Sequence, residues 1–195
     1  MAGMTVLIVG LLVFLGVHSV RIVADDWRTA QIARLGANRW KGLYTLASVA
    51  GLVLIVWGFG LARADSITLW TPPAWTRGAA AVLTALAFIL LAAAYVPGTR
   101  IKASIGHPMV AGVKLWALAH LMANGSLADL VLFGAFLLWA VLGFRAARGR
   151  DRAAGTRYPA GPLTRDAIAV VVGLTAWALF AIFLHGRLTG IPLSV

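Results

Sequence analysis

The sequence predicts an all-α membrane protein: a single polytopic bundle of about six transmembrane helices over residues 1–195, with both termini periplasmic. Three observations predict it. Hydrophobic residues make up 61% of the chain and charged residues 12%, far from the roughly 45–50% apolar and 25% charged of a soluble domain. The apolar residues fall into runs of about 17–25, the length that a hydrocarbon core near 30 Å requires. The basic residues behind the net charge of +11 sit between those runs, alternately dense and sparse along the chain.

The first run, Met4 to Val20, has no basic stretch ahead of it and no small-residue cleavage site behind it, so it reads as a retained helix. Asp25 to Gly36 places Trp27, Ile32 and Leu35 among Arg28 and Arg34, the pattern of a short interfacial helix. The second and third spans are Leu43 to Leu61 and Ala79 to Val96. Between them, Pro72-Pro73 flanked by Trp70 and Trp75 suits an outer loop at headgroup level, where indole rings are favoured. The fourth, Pro108 to Ala123, is the shortest and opens on a proline whose missing N–H needs no partner there. Asn124-Gly125-Ser126 then offers a glycine to close that helix and a serine to cap the next, with Asp129 three residues on. Spans four and five are therefore expected to form a tight antiparallel hairpin. The fifth span is Leu127 to Phe144, Arg148 to Gly161 reads as a polar, mobile loop, and the sixth span is Ile168 to Leu184.

Loop charges orient the bundle, because Lys and Arg near span ends resist translocation. The first loop holds Arg21, Arg28, Arg34, Arg39 and Lys41, the third Arg100 and Lys102, and the fifth is densest, from Arg145 to Arg165. The second has only Arg63 and Arg77, and the fourth has no basic residue. Loops one, three and five are thus expected in the cytoplasm. The positive charge is a topology signal with a secondary attraction to anionic headgroups of the lipid bilayer, not a nucleic-acid footprint. Cysteine is absent, which removes disulfides, thiolate metal sites and cysteine nucleophiles.

All 4 histidines lie within spans or at their edges, on three different spans. His18 ends the first, His107 opens the fourth, His120 lies about four turns into it, and His185 ends the sixth. Trp116, His120 and Asn124 recur at i,i+4 and share a face; Lys114 lies over the His107 stripe. A helix polar on two sides runs inside protein. Each residue also has a plain reading: His107 and His185 as interfacial anchors, Lys114 snorkelling to the headgroups, Asn124 closing its helix. His120 fits none of these, being deep in its span beside an indole.

Two neutral imidazoles on different helices can hold a haem iron axially. Ala111, Gly112, Ala117 and Ala119 leave room on the fourth span for a flat ligand, and Arg21 and Lys114 are candidate partners for propionates. His18 and His120 are the favoured ligands. They sit at different depths, however, with His120 about 20 Å along its helix at the standard rise, so His107 and His185 stay open as alternatives. A zinc or non-haem iron site is disfavoured because carboxylates are scarce in the spans.

The strings HSVR at 18–21, RWKGLYTLASVAGL at 39–52, HPMVAGVKLWALAHLMANG at 107–125 and HGRLTGIP at 185–192 resemble the NnrU family nearly end to end, the HP…K…WALAH…NG block most specifically. The resemblance implies a multi-pass protein of the bacterial inner membrane, linked to nitric oxide and nitrite metabolism in denitrification. A relative, zeta-carotene isomerase, carries haem b between two histidines that match His18 and His120. Its cysteine, an alternative iron ligand, falls at Ala117, so that ligand switch is missing here and carotenoid isomerase activity is not expected. A basic residue often precedes the family's His-Pro pair; Gly106 stands here, which weakens anion binding at that helix start.

The resulting expectation is haem b binding in nitrogen-oxide redox metabolism, with respiratory or nitrogen-oxide reductase components as partners. The alternative is a cofactor-free assembly or regulatory factor for a respiratory reductase. A membrane methyltransferase also carries His-Pro near a short helix, but it needs late carboxylates, and this chain has no Glu and its last Asp is Asp166.

Overall fold

The computed structural model describes residues 2–189. They form helices α1 (Ala2–Val23), α2 (Asp25–Leu35), α3 (Ala37–Ala64), α4 (Trp75–Tyr95), α5 (Arg100–Ile105), α6 (Pro108–Ala123), α7 (Leu127–Ala154) and α8 (Leu163–Leu179). A π-helical turn, Phe180–His185, and a short α9, Gly186–Thr189, follow. No strand occurs among the described residues. Five helices are long and apolar enough to cross a membrane, and α6, at 16 residues, is a shorter apolar helix. The chain divides into two compact units: the first takes the chain up to Leu69 with Ser126–Ala135, the second Trp70–Gly125 and the chain from Phe136 onward.

The first unit is built on α1 against α3. Glycines seven apart on each helix, Gly3 and Gly10 on one, Gly51 and Gly58 on the other, sit where the partner backbone comes closest. A Cβ on Gly10 would lie 2.6 Å from the Ile55 amide nitrogen, one on Gly51 2.7 Å from that of Phe14, and one on Gly58 would collide with the backbone of Leu7. The helices run antiparallel with a large residue opposite three of these glycines: Leu7 faces Gly58, Ile55 faces Gly10 and Phe14 faces Gly51, while Gly3 faces Ala62. Leu7 is fully buried and Ile55 nearly so. Lipid supplies no hydrophobic force between helices, so close backbone approach and van der Waals packing hold such a pair.

The expected interfacial helix is present as α2, with no buried residue, and Trp27 meets Trp40 edge-on at 5.9 Å. Ser126 caps α7 as predicted. Its amide donates to Asp129 Oδ2 at 3.1 Å and its hydroxyl at 2.6 Å, while the Asp129 amide donates back to Ser126 Oγ at 3.2 Å. This end is tied to the end of α3 by the Ala128 amide donating to Ser66 Oγ at 3.0 Å and the Leu127 amide to the Ile67 carbonyl at 2.9 Å.

The second unit packs α4 against α6 and α8, again through small residues. Gly112 lies under the Ala87 carbonyl and Gly173 under the Ile89 backbone. Thr84 accepts from Trp177 Nε1 at 3.0 Å and donates to the Ala80 carbonyl at 2.8 Å. Trp116 meets Phe136 at 5.4 Å and the Lys114 ammonium lies 3.7 Å from the centre of the Phe144 ring. These contacts set α6 antiparallel to the Phe136–Ala154 part of α7, as the tight connection predicts.

Several boundaries differ from the sequence expectation. Arg148 to Gly161 is not a loop throughout: α7 runs ten residues past Phe144 to Ala154, because hydropathy falls along this stretch while Ala and Arg keep helix propensity high. Gly155, at φ +62°, ends it, and the Thr156 amide returns to the Asp151 carbonyl at 2.8 Å. Gly125 is not a left-handed helix terminator. Asn124 closes α6, and Gly125 is needed because the Trp70 carbonyl packs where a side chain would start. A six-residue helix, α5, fills the third loop, its N-terminus capped by Thr99 Oγ1, which accepts from the Lys102 amide.

Candidate functional site

Three of the four histidines fall in the second unit, at opposite ends of α6. At its C-terminal end, His120 Nδ1 lies 2.8 Å from the Trp116 carbonyl. A carbonyl oxygen only accepts, so Nδ1 carries the proton and the ring's lone pair is on Nε2. The Trp116 ring is tilted against the imidazole at 5.2 Å. The Asn124 side-chain amide donates to the His120 carbonyl at 2.9 Å and closes the helix.

The His185 ring stands 6.3 Å from that of His120, with an interplanar angle of 29°. His185 is the last residue of the π turn, and that turn decides which face it takes. Ala169, Gly173 and Trp177 mark the inward stripe of α8, Trp177 reaching Thr84. Phe180 continues the stripe, meeting Phe88 at 5.7 Å, and at about 100° per residue the inward position after it would be Leu184. One extra residue in the turn rotates Leu184 outward, where it is exposed, and brings His185 to the inward face. Thr189 donates to the His185 carbonyl at 2.7 Å.

At the N-terminal end of α6, about 20 Å from His120 along the helix, His107 Nε2 lies 2.8 Å from Asp151 Oδ2. The Tyr158 hydroxyl donates to the same carboxylate at 3.1 and 3.2 Å. The carboxylate accepts both bonds, so this histidine carries a proton on Nε2, and the neutral ring is the opposite tautomer from that of His120. Gly106 makes the junction possible at φ +79°, ψ −55°, and a Cβ there would sit 2.9 Å from an Arg148 guanidinium nitrogen. The platform beneath is tied by the Asp166 carboxylate accepting from the Arg100 and Ile101 amides and by the Gly161 amide donating to the Gly98 carbonyl.

His18 belongs to the first unit and repeats the His120 arrangement. Its Nδ1 donates to the Phe14 carbonyl at 2.6 Å, the Phe14 ring stacks on it at 4.2 Å and Tyr44 lies 5.2 Å away. Arg21 is exposed one turn on, at the end of α1. Lys114, a candidate propionate partner by sequence, has its ammonium on the Phe144 ring. The second unit thus brings Trp116, His120, Asn124 and His185 together, and the opposite end of α6 holds His107. Asp151 and Tyr158 were missed by the sequence reading, which placed both in a loop; an unbroken helical pattern to Ala154 was the available signal for Asp151.

No cluster of three or more histidine or carboxylate side chains able to hold a metal ion exists among the described residues. His18 and His120 each set an imidazole Nδ1–H against a backbone carbonyl of their own helix. That arrangement sets the tautomer and ring orientation of a metal-ligating histidine, so the donor chemistry fits an axial haem ligand.

An all-helical multi-pass membrane protein with imidazoles set inside its helices is the class that this fold and these residues define. The NnrU protein family matches residues 6–193, nearly the whole chain, and the chain belongs to it. No curated protein and no solved structure matches.

Proposed function

We propose that this NnrU-family protein binds one haem b, with His120 as an axial ligand, and acts in nitrogen-oxide redox metabolism in the bacterial inner membrane. The observation that carries the reading is the His120 Nδ1–H bond to the Trp116 carbonyl, which leaves the neutral ring's lone pair on Nε2 within an apolar helix. His18, with the same tautomer, is the second ligand that the family resemblance names; His185 is the alternative beside His120. Bound haem would supply one-electron redox chemistry. The chain's part is to present neutral imidazoles, surround the flat ring with aromatic and small side chains, and exclude water from it.

Loop charge supports loops one, three and five in the cytoplasm and both termini outside. Components of a respiratory or nitrogen-oxide reductase are the proposed partners. The test is the absorption spectrum of detergent-purified protein expressed with ample haem. A Soret band in the wild type, abolished or strongly shifted in His120→Ala, is expected. A folded but colourless wild type contradicts the reading and favours a cofactor-free assembly factor.

A further inference from the structure

The His107–Asp151–Tyr158 cluster has no part in holding a haem through His120, and its chemistry is different. His107 precedes the first turn of α6 and makes no capping hydrogen bond to it through its side chain. With a proton held on Nε2 by Asp151, Nδ1 of the neutral ring is a hydrogen-bond acceptor. The imidazole keeps 23% of its side-chain surface exposed and Asp151 13%, so the ring is reachable while its orienting carboxylate is largely covered. The Phe144 and Tyr158 rings stand nearly perpendicular to it, at 6.3 Å and 86° and at 5.9 Å and 80°. The outcome is a polarised acceptor between aromatic walls, at the end of an apolar helix.

The ligand that suits this arrangement is neutral, flat, lipid-soluble and carries a hydroxyl donor. Asp151 opposes a phosphate or nitrogen-oxide anion at the imidazole despite the nearby Arg148 and Lys102. A carotenoid hydrocarbon has no use for the acceptor. We propose that this end of the second unit binds the headgroup of a lipid-soluble quinol, whose hydroxyl donates to His107 Nδ1. Asp151 is a positioning residue that selects the tautomer, and Tyr158 holds the carboxylate. The proposal stands independently of haem binding.

The tautomer makes a specific claim about redox form. An acceptor nitrogen favours the quinol O–H and disfavours the quinone carbonyl, which itself only accepts. Exchanging the carboxylate for an amide lets the imidazole take the other tautomer, the effect seen when the orienting aspartate of a serine-protease triad is replaced by asparagine. The full chain in nanodiscs is titrated anaerobically with decylubiquinol and decylubiquinone, and binding is read by calorimetry. The wild type should bind the quinol at least tenfold more tightly than the quinone. His107→Ala should lose that saturable binding by tenfold or more, with His107→Gln as the second variant if the first does not fold. Asp151→Asn, while eluting as the wild type does, should bring the two forms to parity or invert their order. Equal wild-type affinity for both forms, no saturable binding of either, quinol affinity unchanged within twofold in the His107 variants, or an unaltered preference in Asp151→Asn would each overturn the proposal.

Discussion

The two units solve the packing of helices in lipid by the same means and diverge in what they bury. In the first, the close approaches of α1 and α3 set Leu7, Ile55 and Phe14 against glycines and Gly3 against Ala62, and mid-helix polar groups such as His18 and Ser48 bond back to carbonyls of their own helices. In the second, Gly112 and Gly173 do the same for α4, but the helices also enclose Thr84 bonded to Trp177, the His120–His185 pair, Lys114 on Phe144 and the His107–Asp151–Tyr158 cluster. Intramembrane polar and ionisable groups are expensive and mark function. The comparison therefore assigns the first unit chiefly to scaffold and the second chiefly to chemistry.

The sharpest way to break that contrast is inside the first unit. Gly58→Leu forces a side chain into the Leu7 backbone and should destabilise the protein by about 3 kcal/mol, the upper end of overpacking costs. Gly60→Leu, two residues on, meets nothing within 4 Å and should leave stability nearly unchanged. Equilibrium unfolding in mixed detergent micelles compares them; equal effects would remove the glycine register as the cause.

A smaller loss is expected at the junction of the second unit. Gly106→Ala places a Cβ on a backbone at φ +79°, for which strain of roughly 1–3 kcal/mol is typical. Crowding of Arg148 and Tyr158 adds to it, so quinol affinity should fall with stability. Thr84→Val is the mildest: it removes the acceptor for Trp177 Nε1, and interhelical hydrogen bonds in membranes average about 0.6 kcal/mol. A loss comparable to that of Gly58→Leu would mean that polar contacts, not small-residue packing, hold the second unit.

Much of this architecture is written in the amino-acid order. The spans, the interfacial helix and the Ser126–Asp129 cap follow from hydropathy and capping residues, which act over a few positions. What escaped depends on contacts distant in sequence or on register. Arg148 to Ala154 is charged, so hydropathy misplaces it although it remains helical. His107 and Asp151 meet across 44 positions, a pairing no local pattern encodes. Phe180–His185 contains no proline or glycine to announce a π turn, yet the turn determines that His185 faces inward in place of Leu184. The tautomers, opposite in His107 and His120, are legible only from the acceptors that each ring meets.

In the proposed function, the Nε2 of His120 would hold a haem iron. The most direct measurement is the low-temperature electron paramagnetic resonance of ferric wild type and of His120→Ala, each before and after adding imidazole. The account predicts a low-spin signal in the wild type, its loss in the variant, and its return when free imidazole fills the vacated position. A variant that keeps the wild-type signal without imidazole would contradict it.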